Sequence, residues 1–183
     1  SNSGDVTLNK LATHSQYVYL GGIAGRSEAA ITLKECHNTG VITMAETVTG
    51  VFESYTGGLI GYPNANITLD NCTNGIKAGA TSPYGIVINN KQPAGKANSN
   101  RERIGGLIGH ANQSLTVATS VTNNAGIMVK AHYIETGGLT IGGIAGIVDA
   151  TNLTGTLTNT GDIYYEGRCS ACNFGVGGIF ATP

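Results

Sequence analysis

The sequence predicts an all-β fold, namely a β-solenoid built from repeats of about 36 residues, in the form of a right-handed parallel β-helix. Three observations support this prediction. A glycine-rich motif recurs along the chain, an asparagine motif alternates with it at nearly equal spacing, and only 11% of the residues are charged. Abundant glycine, threonine and asparagine are typical of short strands joined by tight turns. A stack of β-hairpins forming a sandwich or a prism-like array is the alternative.

The glycine motif is a double glycine followed by two apolar residues and a third glycine. It occupies residues 21–25, 57–61, 105–109 and 142–146, and a weaker copy that ends in alanine occupies 177–181. A motif with a fixed period marks a repeat architecture, so each copy is expected at the same corner of a repeating unit. Because glycine adopts positive φ without steric cost, we expect a left-handed turn at these corners.

The asparagine motif reads Asn-x-Gly-x-Ile/Val. It begins at Asn2, Asn38 and Asn159 and has variants at Asn74 and Asn123. Asparagine also tolerates the left-handed region and bonds to its own backbone, which suits a second repeated corner. The two motifs divide a single repeat domain, 1–183, into units near 2–37, 38–73, 74–122, 123–158 and 159–183.

Strand-like segments follow the glycine motif in several units. Residues 31–33, 67–69 and 115–117 alternate apolar residues with threonine, which is the pattern of a half-buried strand. No segment shows a sustained apolar recurrence at helical spacing. When such units stack in register, their inward apolar side chains form a core that no single unit could bury alone.

The four cysteines fall into two groups. Cys36 and Cys72 hold the same repeat position, which later units fill with valine and leucine, so both are expected to face inward as reduced core residues. Cys169 and Cys172 form a C-x-x-C pair, for which we consider a local disulfide or two idle thiols. A redox motif or half a zinc site is disfavoured, because the context of a thioredoxin-like motif and a second pair of ligands are both missing.

One unit is longer than the others by about 12 residues, and the extra length lies within 77–103. This segment holds five of the ten basic residues. Insertions in repeat proteins map to loops on one face, which is often the binding face. We therefore identify Lys91, Lys96, Arg101 and Arg103 as candidate ligand-binding residues. A solvated loop without a partner is the alternative.

Tyr19 and Tyr55 both lie two residues before a double glycine, so they are expected to stack as a short aromatic ladder. Sugar-binding surfaces use such platforms, which makes the pair a second set of candidate ligand-binding residues. Arg103, Thr140 and Gly175 take the equivalent position later. Packing between neighbouring strands is the favoured interpretation.

Several function classes lack support in the sequence. We find no clustered carboxylates, no catalytic triad and no metal-ligand spacing, so we expect neither an enzyme nor a metal site nor a cofactor. The formal net charge of -1 favours neither nucleic acid nor an anionic membrane. No apolar run approaches the ~18 residues of a membrane-spanning helix.

Together, the glycine motif and a downstream Cys/Leu/Val-x-Asn-x-Gly-x-Ile motif resemble the GLUG-type repeats of bacterial surface proteins. Such repeats occur in cell-wall-associated proteases that cleave immunoglobulin A and in large adhesin-like proteins of Bacteroidetes. The resemblance covers essentially the whole chain and implies an extracellular β-helical stalk or adhesive module. It assigns no functional residue, because the motif itself is structural.

We therefore expect a non-catalytic β-solenoid, secreted or at the cell surface, that acts as an adhesion or spacer module of a larger bacterial protein. Its expected partner is a host or cell-surface glycan or protein. Because neither end has an obvious polar cap, a subunit that self-assembles end to end is one alternative. A carbohydrate-binding or carbohydrate-active β-helix is another.

Overall fold

The computed structural model describes residues 1–9, 17–45, 53–89 and 99–181, without the side chains of 99–100, 131–136 and 169–171. Over these residues the chain forms β-strands and no helix, which confirms the all-β prediction. In chain order the strands are β1 (Val6–Leu8), β2 (Tyr17–Gly21), β3 (Ala24–Ser27), β4 (Ile31–Lys34), β5 (His37–Asn38), β6 (Ile42–Met44), β7 (Glu53–Gly57), β8 (Ile60–Pro63), β9 (Ile67–Asp70), β10 (Cys72–Asn74), β11 (Tyr84–Ile88), β12 (Ser99–Gly105), β13 (Ile108–Val117), β14 (Ser120–Asn123), β15 (Gly126–Gly142), β16 (Ala145–Leu153), β17 (Thr156–Asn159) and β18 (Ile163–Gly177).

These strands form three parallel sheets. The largest has eight strands in the order β1-β6-β11-β15-β12-β7-β2, with β18 beside β15. The second has six strands in the order β3-β8-β13-β9-β4, with β16 beside β13, and the third has four in the order β17-β14-β10-β5. Every described strand pairing is parallel. The alternative of stacked β-hairpins is therefore wrong, because hairpins pair antiparallel.

Each strand pairs with the equivalent strand of the next repeat. Val6 pairs with Ile42, and Ile31 pairs with Ile67. The partners are 36 residues apart, as are Asn2 and Asn38, whose side chains form a hydrogen bond. The period read from the sequence is therefore the distance along the chain between paired strands.

The insertion predicted within 77–103 is divided in two. Between Asn74 and Ile86 the chain is about eight residues longer than between their pairing partners in the preceding repeat. About four more residues lie between Ile88 and Arg101. Strand β11 separates the two additions, so the extra length is not one continuous loop.

The hydrophobic core consists of two clusters. The first lies on the inner face of the eight-stranded sheet and contains Val18, Leu20, Ile42, Met44, Ile86, Ile88, Ile104, Ile127, Val129, Leu139 and Ile141. The second is formed by the other two sheets and the glycine motifs, with members such as Leu33, Leu59, Ile67, Leu69, Cys72, Leu107, Leu115, Val121 and Ile144. Cys72 is fully buried there, Cys36 packs against the cluster, and both are free thiols, as predicted.

The glycine motifs do not form left-handed turns, contrary to the prediction. Among the described glycines, a positive φ occurs at Gly79 and Gly137, both outside the motif. The left-handed region is used instead by Glu35 and Asn71, with φ of 50° and 51°, one residue before each inward-facing cysteine. The repeated glycines are therefore needed for space and not for backbone conformation.

Candidate functional site

The candidate tyrosines and arginines lie together on the outer face of the eight-stranded sheet, at β2, β7 and β12. Strand register aligns Tyr19 with Tyr55 and Tyr55 with Arg103, so the three occupy neighbouring positions on adjacent strands. Arg101 precedes Arg103 by two residues and is aligned with Glu53. The structure therefore brings together four residues that belong to two separate groups in the sequence.

An aromatic cluster surrounds this row. Tyr19 and Tyr55 stack as predicted, with ring centroids 5.4 Å apart and planes inclined by 11°. The ring centroid of Tyr62 lies 4.6 Å from that of Tyr55 and 5.6 Å from that of Tyr19. The imidazole of His110 lies 5.6 Å from the Tyr62 ring and 5.9 Å from the Tyr55 ring. We call Tyr19, Tyr55, Tyr62 and His110 the tyrosine cluster.

Sequence reasoning missed Tyr62 and His110. Each directly follows the last glycine of its motif, a position that Arg26 holds in the first repeat. A Cβ atom on Gly61 would lie 2.6 Å from the carbonyl oxygen of Tyr55, so this glycine allows one strand to pass close to the next. Comparing the residues that follow each glycine motif would have identified both side chains.

The ring faces within the tyrosine cluster are largely covered. The Arg26 guanidinium lies 5.0 Å from the Tyr19 ring centroid and 5.7 Å from that of Tyr62, which are cation–π distances. Arg26 also forms an ion pair of 2.6 Å with Glu28. Tyr55 is only 8% exposed. Because a sugar ring needs an exposed aromatic face, this geometry favours packing over sugar binding for Tyr19 and Tyr55.

Burial changes the ionisation of the cluster tyrosines. It raises the pKa of Tyr19 and Tyr62, and it raises the pKa of Tyr55 furthest. The Tyr55 hydroxyl also donates a hydrogen bond to Oε2 of Glu53, and this bond adds to the effect on Tyr55 because it favours the protonated phenol. These phenols remain neutral well above neutral pH.

The pKa of His110 changes in the opposite direction from that of the tyrosines. Burial lowers its pKa, although a hydrogen bond of 3.2 Å between its Nε2 and Oδ1 of Asp149 favours the charged form. Its Nδ1 is buried without a hydrogen-bond partner. The ring is therefore a neutral member of the aromatic packing.

A cavity of about 220 Å³ opens on the same sheet, where β12, β15 and β18 run side by side. It is lined by Arg101, Arg103, Gly137, Gly138 and Asn173. We call it the arginine cavity. It contains two of the four basic residues predicted to bind a ligand.

The two arginines differ in their contacts. Nη1 of Arg103 donates to the carbonyl oxygens of Glu102 at 3.3 Å and Gly138 at 3.2 Å. Nη1 of Arg101 lies 3.5 Å from Oε1 of Glu53, and the Arg101 side chain is 64% exposed. Burial lowers the pKa of Arg103, yet a guanidinium stays charged at neutral pH. The cavity wall therefore carries one exposed and one partly buried cation.

Other predicted residues lie outside the described part of the chain. Lys91 and Lys96 fall within residues 90–98, which are not described. Cys172 is disulfide-bonded, but the side chain of Cys169 is not among those described, so the pairing of these two cysteines stays a prediction.

Two further findings concern the described residues alone. They contain no group of three or more His, Cys, Asp or Glu side chains placed to hold a metal ion. They also contain no helix with the length and apolar character needed to cross a membrane.

No protein-family model, no curated protein and no solved structure matches the chain. The resemblance to GLUG-type repeats thus depends on the two repeated motifs alone and stays a prediction.

Proposed function

We propose that the chain is one β-solenoid in which each repeat makes one right-handed turn, and that it serves as a non-catalytic adhesion or spacer module of a larger surface protein. A ladder of asparagine side chains carries this proposal. Its members, which we call the asparagine ladder, are Asn2, Asn38, Asn74, Asn123 and Asn159.

The asparagine ladder connects five successive repeats. Nδ2 of each asparagine donates to Oδ1 of the next, over distances of 2.9, 2.9, 3.0 and 2.8 Å from first to last. Asn38, Asn74 and Asn123 are completely buried. Identical side chains meet in this way only when successive repeats lie above one another at the spacing of paired strands, about 4.8 Å. This arrangement supports a continuous stack of turns.

The glycine motif faces the asparagine ladder across the interior. Gly58 directly follows β7 of the eight-stranded sheet, and Asn74 is the last residue of β10 in the four-stranded sheet, before the chain returns to the eight-stranded sheet in β11. A Cβ atom on Gly58 would overlap the Asn74 amide, and the same holds between later motifs and their asparagines. This contact divides the cross-section of each repeat in two, with one hydrophobic cluster on either side. Such a cross-section supports one closed turn per repeat.

A structural or adhesive role is favoured because the repeated residues serve stacking. The asparagine ladder and the glycine motifs make contacts between repeats, so they are not available to bind a ligand. The outer face with the arginine cavity is left as the candidate contact surface for a host or cell-surface glycan or protein. A disulfide at Cys172 is in keeping with an oxidising, extracellular setting. The resemblance to GLUG-type surface proteins points the same way.

The adhesive role is tested by measuring binding of the purified chain to a panel of glycans and host-matrix proteins. Product formation from each glycan is assayed in parallel. Binding without turnover by the wild type, weakened in an Arg101→Ala/Arg103→Ala variant, is expected. Cleavage of any glycan would contradict a non-catalytic module, and a complete absence of binding would leave the spacer role alone.

End-to-end self-assembly is a second candidate, and one observation favours it. All the exposed large hydrophobic side chains of the described residues lie on or beside the edge strands β2, β3, β16 and β18. They are Tyr17 and Ile23 at one end, and Leu153, Tyr164, Phe174 and Val176 at the other. A second copy stacked head to tail would cover both groups and extend the asparagine ladder.

Self-assembly is tested by sedimentation velocity over a wide range of protein concentration. A sedimentation coefficient that rises with concentration in the wild type, and less in a Phe174→Asp/Val176→Asp variant, is expected. A strictly monomeric wild type at the highest concentration would exclude this role.

A further inference from the structure

We propose that the arginine cavity binds one oxyanion group, a carboxylate or a sulfate ester, carried by an acidic saccharide. The oxyanion part of this proposal depends on the cavity alone. The choice of a saccharide as the carrier rests on the adhesive function proposed above.

Arg103 is the first reason. It is a partly buried cation that forms no ion pair with any described residue. Both of its hydrogen bonds go to backbone carbonyls and both use Nη1, so Nη2 and Nε are left for another acceptor. The guanidinium fork matches the two oxygens of a carboxylate or a sulfate. A cation removed from water without a counterion is costly, so an incoming anion would gain a strong interaction here.

Arg101 supplies a second cation that can reorient. Its ion pair with Glu53 is long, at 3.5 Å, and its side chain is mostly exposed. The other carboxylate oxygen of Glu53 accepts a hydrogen bond from the Tyr55 hydroxyl, and this bond holds Glu53 in place. The Glu102 carboxyl is fully buried and does not line the cavity. The described lining residues therefore include two guanidinium groups and no carboxylate, and the neighbouring carboxylate of Glu53 forms an ion pair with Arg101 alone.

The floor of the cavity exists because side chains are missing on β15. The aligned positions on β2, β7 and β12 are occupied by Tyr17, Glu53 and Arg101, whereas β15 has Gly138. A Cβ atom there would lie 3.3 Å from Nη1 of Arg103 and begin to fill the space. The volume of about 220 Å³ is below the ~300–1,000 Å³ of pockets for drug-sized ligands. A single charged group of one sugar residue suits a cavity of this size.

The experiment is isothermal titration calorimetry of the full chain with four probes. They are a galacturonic acid oligosaccharide, a sulfated galactose oligosaccharide, a neutral galactose oligosaccharide of equal length, and sodium sulfate. We expect the two acidic oligosaccharides to bind at least about tenfold more tightly than the neutral one, with affinity that falls as salt is added.

Four variants identify the site. Arg103→Ala is expected to weaken binding of the acidic oligosaccharides by about ten- to a hundredfold, which is the usual effect of losing a charged hydrogen-bonding group. Arg103→Lys keeps the charge but loses the fork, and Gly138→Val fills the cavity without changing any charge, so both should also weaken binding. Lys34→Ala removes one exposed cation on another sheet and should leave affinity unchanged. A thermal melt of each variant confirms folding.

Equal affinity of wild type, Arg103→Lys and Gly138→Val for the acidic probes would overturn the proposal. Equal binding of acidic and neutral oligosaccharides would overturn it as well, while leaving an adhesive function intact. Sodium sulfate binding that Arg103→Ala abolishes, without any saccharide binding, would overturn the saccharide carrier and count against glycan adhesion. Binding of matrix proteins alone, unaffected by Arg103→Ala, would support adhesion and exclude this site.

Discussion

Gly58 lies against the buried side-chain amide of Asn74, so closely that a Cβ atom on Gly58 would overlap it. The two residues belong to different motifs, 16 positions apart in the sequence. Their contact explains why the glycine and asparagine motifs recur together, because the asparagine amide occupies the space that a side chain on the glycine would need.

Gly58→Ala should destabilise the protein strongly. The new methyl group would overlap both the Asn74 side chain and the carbonyl oxygen of Gly106, and neither can move without displacing a neighbouring repeat. We expect a loss of about 3 kcal/mol in the free energy of unfolding, at the upper end for overpacking. Urea denaturation measures it. Gly75→Ala is the matched control, because a Cβ there would have its nearest neighbour at 4.0 Å, and a comparable loss in both variants would contradict the argument.

Asn74→Ala tests the asparagine ladder. The substitution removes hydrogen bonds to Asn38 and Asn123 in a fully buried site. We expect a loss of about 2 kcal/mol or more in unfolding free energy, because buried polar groups lose partners. Asn2→Ala removes only one bond of the ladder, at a less buried position, and should cost less than about 1 kcal/mol. Equal losses for the two variants would show that burial within the ladder does not matter.

Stability should fall in alkaline solution because of the tyrosine cluster. Burial raises the pKa of Tyr19, Tyr55 and Tyr62 above the ordinary value of about 10. Above that pH the unfolded chain loses protons that the folded chain keeps, so the free energy of unfolding decreases as pH rises. The part of the tyrosinate absorbance that is lost in a Tyr55→Phe variant and the circular dichroism signal should change at the same pH.

Tyr55→Phe should make this alkaline decrease less steep, since one buried phenol is removed. Tyr17→Phe, at a side chain that is 48% exposed, controls for the loss of a hydroxyl elsewhere. Ionisation of Tyr55, read as the difference in tyrosinate absorbance between wild type and Tyr55→Phe, well below the pH of unfolding would contradict burial of the cluster.

His110 should make the protein less stable in acid. Burial lowers its pKa, so below the ordinary value of about 6.5 the unfolded chain binds a proton that the folded chain does not. The free energy of unfolding is therefore expected to fall as pH decreases through this range. Denaturation at several pH values, for wild type and His110→Gln, isolates the contribution of His110. A wild type that gains stability relative to the variant on acidification would show that Asp149 outweighs burial.

The period and the strand direction could be predicted from the sequence because both are local in origin. The alternation of Ile31 and Leu33 with threonine marks a strand in any context, and its recurrence at Ile67 and Leu69 sets the partner. The inward, reduced state of Cys36 and Cys72 followed from the same repetition. The stacking of Tyr19 on Tyr55 could also be predicted from this repetition.

Other features depend on contacts between different parts of a repeat, and the sequence did not reveal them. Tyr62 and His110 join the tyrosine cluster from a different sheet. The arginine cavity requires Gly138 on β15 beside Arg103 on β12, which lies 35 residues earlier. The glycine motif also has a different cause from the one that the sequence predicts. Its glycines do not use positive φ; a distant asparagine amide excludes a side chain at the second glycine, and backbone atoms exclude one at the first and third.

By itself, the sequence determined the all-β class, the period of about 36 residues and the parallel pairing of equivalent segments, because these follow from patterns that repeat along the chain. The tertiary structure decided which motifs touch, how the insertion is divided and where charge and space coincide. The physical reason is that side chains such as Gly58 and Asn74 meet only after the chain has passed through two further sheets. A local sequence pattern does not indicate which residues from different sheets will come into contact.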